Sequence, residues 1–176
     1  PMLPERISND LCSLKEGENR PSLAVRMIFD AEGRKKRHSF HRVLFRSAAK
    51  RSYQQVQAAV DGHPDDKTGP LVDPILKPLW RAYETMAKAR DKRGPLDLEL
   101  PERKIILDGK GMVADVRTPE RLEAMRLIEE MMIAANVAAA ETLEKHKAAL
   151  LYRVHDTPSR EKLAALREFL TSLDLR

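Results

Sequence analysis

Three groups of residues in this chain have types and spacing that could do chemistry. Residues Leu127–Ala140 (LIEEMMIAANVAAA) are apolar on almost every side of a helix, yet Glu129 and Asn136 interrupt them seven residues apart. Seven residues is nearly two turns, so both polar groups fall on one face. A helix this apolar is expected to be buried, and a buried carboxylate needs a partner. Glu129 is therefore expected either to pair with a neighbouring arginine or to offer an acceptor to a ligand hydroxyl, such as a ribose 2′-OH. The second group runs from Arg34 to Arg51 and holds eight basic residues (Arg34, Lys35, Lys36, Arg37, Arg42, Arg46, Lys50, Arg51) and no acid. The chain's net charge is +5, so the rest sums to −3 and the positive charge is concentrated in one segment. Such a patch suits a polyanion; the plainer reading is a solvated hairpin face. Third, Tyr53 follows Lys50-Arg51 at a helix start, where a ring beside cations can stack on a base or sugar, or simply pack.

Other constellations lack the geometry for chemistry. His38, His41, His63, His146 and His155 are scattered, with no second His or Cys at zinc spacing. Asp61, Asp65 and Asp66 surround Gly62-His63-Pro64, which reads as a turn rather than a magnesium site. No nucleophile elbow occurs, and Asp108-Gly109-Lys110-Gly111 lacks the spacing of a phosphate loop. Cys12 is the sole cysteine, which rules out an internal disulfide, fits a reducing cytoplasm and suggests an inert packed thiol. No metal set and no self-sufficient catalytic set is expected within the chain.

The elements that position these residues follow from periodicity. At 176 residues, 42% apolar and 34% charged, the chain suits one domain, residues 1–176, able to bury roughly 70% of its unfolded surface. No run is long enough to span a bilayer, and Pro1–Pro4 resembles no signal peptide. Both ends read as cuts inside a longer protein. Leu23, Val25, Met27 and Phe29 alternate as a strand, Asp30–Gly33 turns, and Ser39–Phe45 returns as a second strand. Ser52 caps a helix that Gly62 stops, and Asp61–Pro74 is loop. Leu76, Leu79, Trp80, Tyr83 and Met86 form the core stripe of a helix ending at Gly94-Pro95. Lys104–Leu107 and Met112–Val116 make a second hairpin. Thr118-Pro119 opens the long helix, Leu150–Val154 is a short strand, and Thr157-Pro158 starts a last helix striped by Leu163, Leu166, Leu170 and Leu173. Alternating hairpins and helices predict an α+β fold, with a mixed, mostly antiparallel sheet against several helices.

Four stretches carry a resemblance: PMLPERISNDLCSL (Pro1–Leu14), AAKRSYQQV (Ala48–Val56), MRLIEEMMIAANVAAA (Met125–Ala140) and LYRVHDTPS (Leu151–Ser159). In this order and spacing they resemble the catalytic RNB domain of the ribonuclease II/ribonuclease R family, with bacterial ribonuclease R the closer relative. The resemblance implies a fragment of a processive 3′→5′ hydrolytic exoribonuclease that uses Mg²⁺ and acts on single-stranded RNA. It also implies that the metal-binding aspartates lie before Pro1 and the catalytic arginine, in a T-S-P-I-R motif, beyond Arg176. The fragment is then expected to be inactive alone. Tyr53 resembles the family tyrosine beside the 3′-terminal nucleotide, and Glu129 the carboxylate that contacts the sugar. His155-Asp156 matches an HD step near the RNA path. Leu98 stands where the family usually has a base-stacking phenylalanine.

The candidate RNA-binding residues are therefore Tyr53, Glu129 and His155, with a phosphate-attracting patch at Arg34, Lys35, Lys36, Arg37, Lys50 and Arg51. Expected partners are single-stranded RNA and, through surface the rest of the domain would cover, a second copy of the fragment. No membrane partner is expected, and the location is cytoplasmic. The alternative is a non-enzymatic RNA-binding or ribosome-associated module.

Overall fold

The computed structural model describes residues 2–95 and 103–175, so Leu98 lies outside the described residues. Two compact units divide the chain, Pro1–Ala139 and Ala140–Arg176. The architecture is α+β, with two separate two-stranded antiparallel sheets and helices.

The first unit begins with a short π-helical turn, Arg6–Leu11, followed by strand β1 (Asn19–Phe29) and strand β2 (Lys35–Arg46). Cys12 is exposed, contrary to the packed thiol expected, because it sits just past that turn rather than on a buried strand. β1 and β2 pair along their length, Asn19 opposite Arg46 and Ile28 opposite Arg37. Asp30 closes the turn as its Oδ1 accepts the backbone N–H groups of Glu32 and Arg34. Gly33 has φ +76°, and a Cβ there would stand 2.4 Å from the carbonyl oxygen of Thr85. Only glycine lets this turn approach the Thr85 backbone so closely.

Helix α1 (Tyr53–Val60) starts with a capping box: Ser52 Oγ accepts the Gln55 N–H while Gln55 Oε1 accepts the Ser52 N–H. Gly62, at φ +95°, ends it as anticipated. The segment to Pro74 is only partly loop. Asp65 Oδ1 accepts the N–H groups of Lys67 and Thr68, and this turn launches α2 (Gly69–Leu71), a wide turn Val72–Leu76 and α3 (Lys77–Asp91). Pro70, Pro74 and Pro78 all fall within these helical turns, which is why composition alone suggested loop. The hairpin of β3 (Lys104–Leu107) and β4 (Val113–Arg117) follows.

Helix α4 spans Glu123–Lys145 and starts later than the Thr118-Pro119 signal predicts. Its first turn is completed from elsewhere: Gln57 Oε1 on α1 accepts the Ala124 N–H at 3.0 Å. Between α3 and α4, Tyr83 donates to Glu123 and Arg90 donates to Glu130 at 2.8 Å, and each pair spans 40 residues of sequence. The repeated offset means that the two helices run side by side in the same direction. Leu76, Tyr83 and Met86 of the predicted stripe are buried, together with Ala59, Ala124, Leu127 and Ala138.

The second unit holds the last turns of α4, an irregular stretch and α5 (Arg160–Ser172). Leu150–Val154 forms no strand: among the described residues nothing pairs with it, and Leu151 and Val154 are exposed. Helix α5 starts a little later than Thr157-Pro158 and is capped by Ser159, whose Oγ accepts the Lys162 N–H. With Pro158 just before Ser159, the extended backbone required of a cap falls one residue after the proline.

Candidate nucleic-acid interface

Helix α1 sets Tyr53 at its first turn, 42% exposed, on a pocket of about 130 Å³. Val56, Leu79, Trp80, Leu127 and Ile128 supply its apolar wall, and Arg51 stands beside them. The chain segment before α1 therefore gives a cation, a capping hydroxyl and a ring in succession at one concave surface. Such a surface can hold a flat apolar group that carries negative charge.

Helix α4 contributes Ala124, Leu127 and Ile128 to the pocket, and Glu129, which follows Ile128, does not line it. Its burial was misjudged. Glu129 is exposed and pairs with Arg121 at 2.9 Å, while its neighbour Glu130 is the buried carboxylate. The helix is apolar nearly all round, but it packs only through the face of Ala124, Leu127, Glu130 and Ala138. Asn136, Met132, Ile133 and Val137 are on the open side. An exposed ion pair of this kind contributes well under about 1 kcal/mol, so Glu129 can exchange Arg121 for another donor at little cost.

The basic segment is more heavily paired than its sequence suggests. Arg34 binds Asp30 at 3.0 Å and Glu32 at 3.2 Å, and Lys36 binds Asp30 at 3.0 Å. Burial pushes the Asp30 carboxyl up, but the Arg34 N–H, the Lys36 ammonium and the Arg34 guanidinium outweigh it and hold the group far below the usual carboxylate range. These acids lie just ahead of Arg34, outside the acid-free run. Arg37 and Lys50 are exposed, and Lys35 is half-buried. Arg51 is engaged in three directions, with Glu16 at 2.9 Å, the Lys50 carbonyl at 2.7 Å and the Lys67 carbonyl at 3.4 Å. The Lys50 N–H, followed by the Arg51 guanidinium, keeps the Glu16 carboxyl below its ordinary value.

His155 and Asp156 lie exposed in the irregular stretch of the second unit. Among the described residues no group of three or more His, Cys, Asp or Glu is placed to hold a metal ion. Asp65 is engaged by Thr68, whose hydroxyl and N–H keep its carboxyl below the ordinary range. Sequence reading missed Glu16 and Gln57, which act on partners 34 or more residues away. It also missed the Arg90–Glu130 pair, although Tyr83 and Arg90 on α3 and Glu123 and Glu130 on α4 share the same seven-residue spacing.

The pocket is walled by α1, α3 and α4, with the Tyr53 ring and the Arg51 cation at it. The chain belongs to the RNB family: the model of the RNB domain matches residues 1–175. It is 36% identical to ribonuclease R of Vibrio cholerae over 99% of this chain and 21% of that protein. Ribonuclease R of Thermotoga maritima is also 36% identical, over 100% of this chain and 25% of its own length. The chain thus spans about a fifth to a quarter of these curated relatives. Among solved structures, the apo form of Mycoplasma genitalium RNase R superposes with TM-score 0.90 at 32% identity, covering 100% of this chain and 27% of that one. The same enzyme in complex with ribose methylated single-stranded RNA matches equally, at TM-score 0.90 and 32% identity. No helix among the described residues is long and apolar enough to cross a membrane.

Proposed function

We propose that this chain is part of a ribonuclease R-type 3′→5′ exoribonuclease and forms one wall of its path for single-stranded RNA. The observation that carries this reading is the meeting of the Arg51–Tyr53 segment with α4, the helix that bears Glu129, at one pocket, in a chain alike throughout to RNase R structures that include RNA complexes. Tyr53 supplies a face on which a terminal base or sugar stacks. Glu129 accepts a hydrogen bond from the ribose 2′-OH after releasing Arg121, which favours RNA over DNA. Arg37 and Lys50 draw the phosphate backbone, and His155 is a further RNA-contacting residue.

Processive hydrolysis by the longer protein uses Mg²⁺, which activates water and stabilises the leaving oxygen. Among the described residues no group of carboxylates is placed to hold that ion; the reading assigns the metal-binding aspartates and the catalytic arginine to other parts of the protein. The chain alone is inactive, works in the cytoplasm as part of its parent, and self-associates in isolation through exposed side chains such as Met132 and Val137. A monodisperse monomer by light scattering would remove that last point.

The deciding experiment compares single-stranded RNA and DNA of one sequence on the chain and on its Glu129→Ala variant. The RNA preference should shrink by about tenfold or more, the size of one hydrogen bond to a charged acceptor. Equal discrimination by both would reassign Glu129 to structure. Degradation of RNA by the purified chain with Mg²⁺ would overturn its inactivity.

A further inference from the structure

The segment Ala48–Ser52, which delivers Tyr53, has no helix or strand of its own to hold it. One side chain does much of that work from a distance. Glu16 Oε2 accepts the Lys50 N–H at 2.8 Å and the Arg51 Nη1 donor at 2.9 Å, across 34 and 35 residues of sequence. Glu16 is itself fixed: it pairs with Ser47, the Gly17 N–H donates to the Ser47 carbonyl at 2.8 Å, and Arg46 Nε donates to the Gly17 carbonyl at 2.9 Å.

The electrostatics argue that this contact has a purpose other than attraction. A carboxylate beside a phosphate-binding surface repels the ligand, so Glu16 weakens the very field the basic segment creates. Arg51 is only 17% exposed and has its guanidinium taken up by Glu16 and two carbonyls, so it is poorly placed to track phosphates. What the arrangement provides is order. The guanidinium is pinned beside the pocket, and the backbone is fixed three residues before the ring.

Resting on the RNA reading above, we propose that Glu16 is a positioning residue for RNA binding, locking Lys50 and Arg51 so that α1 presents Tyr53 in one orientation. Preorganisation of this kind raises affinity by removing the cost of ordering the segment when ligand arrives.

Trp80, the only tryptophan, lines the same pocket, so its fluorescence reports occupancy. The chain is titrated with a single-stranded oligouridylate RNA, alongside Glu16→Ala, Glu16→Gln, Tyr53→Ala and the Glu16→Ala/Tyr53→Ala double variant. Glu16→Ala should weaken binding about tenfold, and Glu16→Gln, which keeps an acceptor for the Lys50 N–H, about threefold. The double variant should bind no more weakly than Tyr53→Ala alone, because Glu16 acts through the ring. Unchanged or tighter binding by Glu16→Ala, or losses that simply add, overturns the proposal. Amide exchange at Lys50 in the RNA-free chain distinguishes the two readings. If the wild-type chain ignores the oligouridylate while Glu16→Ala speeds that exchange, the RNA reading fails and Glu16 is an anchor without a ligand. If exchange does not change, the anchoring itself is wrong.

Discussion

The two units treat charge and apolar surface in opposite ways. In the first, Glu130 is only 4% exposed and is matched to Arg90, with Tyr83 and Glu123 repeating the arrangement one step along the same helices. In the second, Leu163, Leu166 and Phe169 of α5 are each at least half exposed, and no residue is buried among those described. A polar group inside the fold persists because its partner is already in place, whereas an apolar stripe remains open until something covers it. Amphipathicity marks a surface that can be buried, and only a facing element decides whether it is.

That contrast predicts a graded set of stabilities. The largest effect belongs to Glu130→Ala, which leaves a mostly buried arginine with, among the described residues, only the longer 3.7 Å contact to Asp91 and should cost about 3 kcal/mol in chemical denaturation. A loss below about 1 kcal/mol would mean that the paired helices do not carry the first unit. Next, Gly33→Ala puts a Cβ into the Thr85 carbonyl at a positive φ and should cost about 2 kcal/mol, measured the same way. A smaller cost would show that the β1–β2 turn shifts freely away from α3.

Tyr83→Phe should cost about 1.5 kcal/mol by removing the bond to Glu123. Here pH sharpens the comparison. Burial, with Glu123 adding to it, raises the Tyr83 phenol above its ordinary value of 10.0. A raised folded value means that the contribution is complete below pH 10 and fades as pH climbs through the folded value. Wild-type thermal stability should therefore drop above about pH 10 more steeply than that of Tyr83→Phe, and parallel curves would refute the pairing. The smallest effect is expected in the second unit, where Leu166→Ala should change stability by less than about 0.5 kcal/mol. A loss of 2 kcal/mol or more in thermal melts would mean that α5 is already covered in solution.

Much of the fold was legible wherever the signal was local. The Ser52 cap, the Asp30–Gly33 turn and Gly62 all operate within a few residues, and each element they delimit is present. The stripe through Leu76, Tyr83 and Met86 was equally plain, because a one-sided pattern names its buried face. Helix α4 defeats that logic. When every side is apolar, periodicity cannot choose the packed face, and Glu129 was taken for the buried carboxylate in place of Glu130. Leu150–Val154 has strand composition but lacks a pairing partner among the described residues. At the site, Tyr53 could be found from its neighbours in sequence, while Glu16 could not, since its importance rests on a contact 35 residues distant.

The Gln57 side chain that completes α4 has a consequence for how the protein folds. The bond it accepts from Ala124 closes a gap of 67 residues. Closing so long a loop costs entropy that nearby contacts do not. The start of α4 should thus become ordered together with the tertiary structure, not ahead of it, so the helices bearing Tyr53 and Glu129 come into register in one cooperative step.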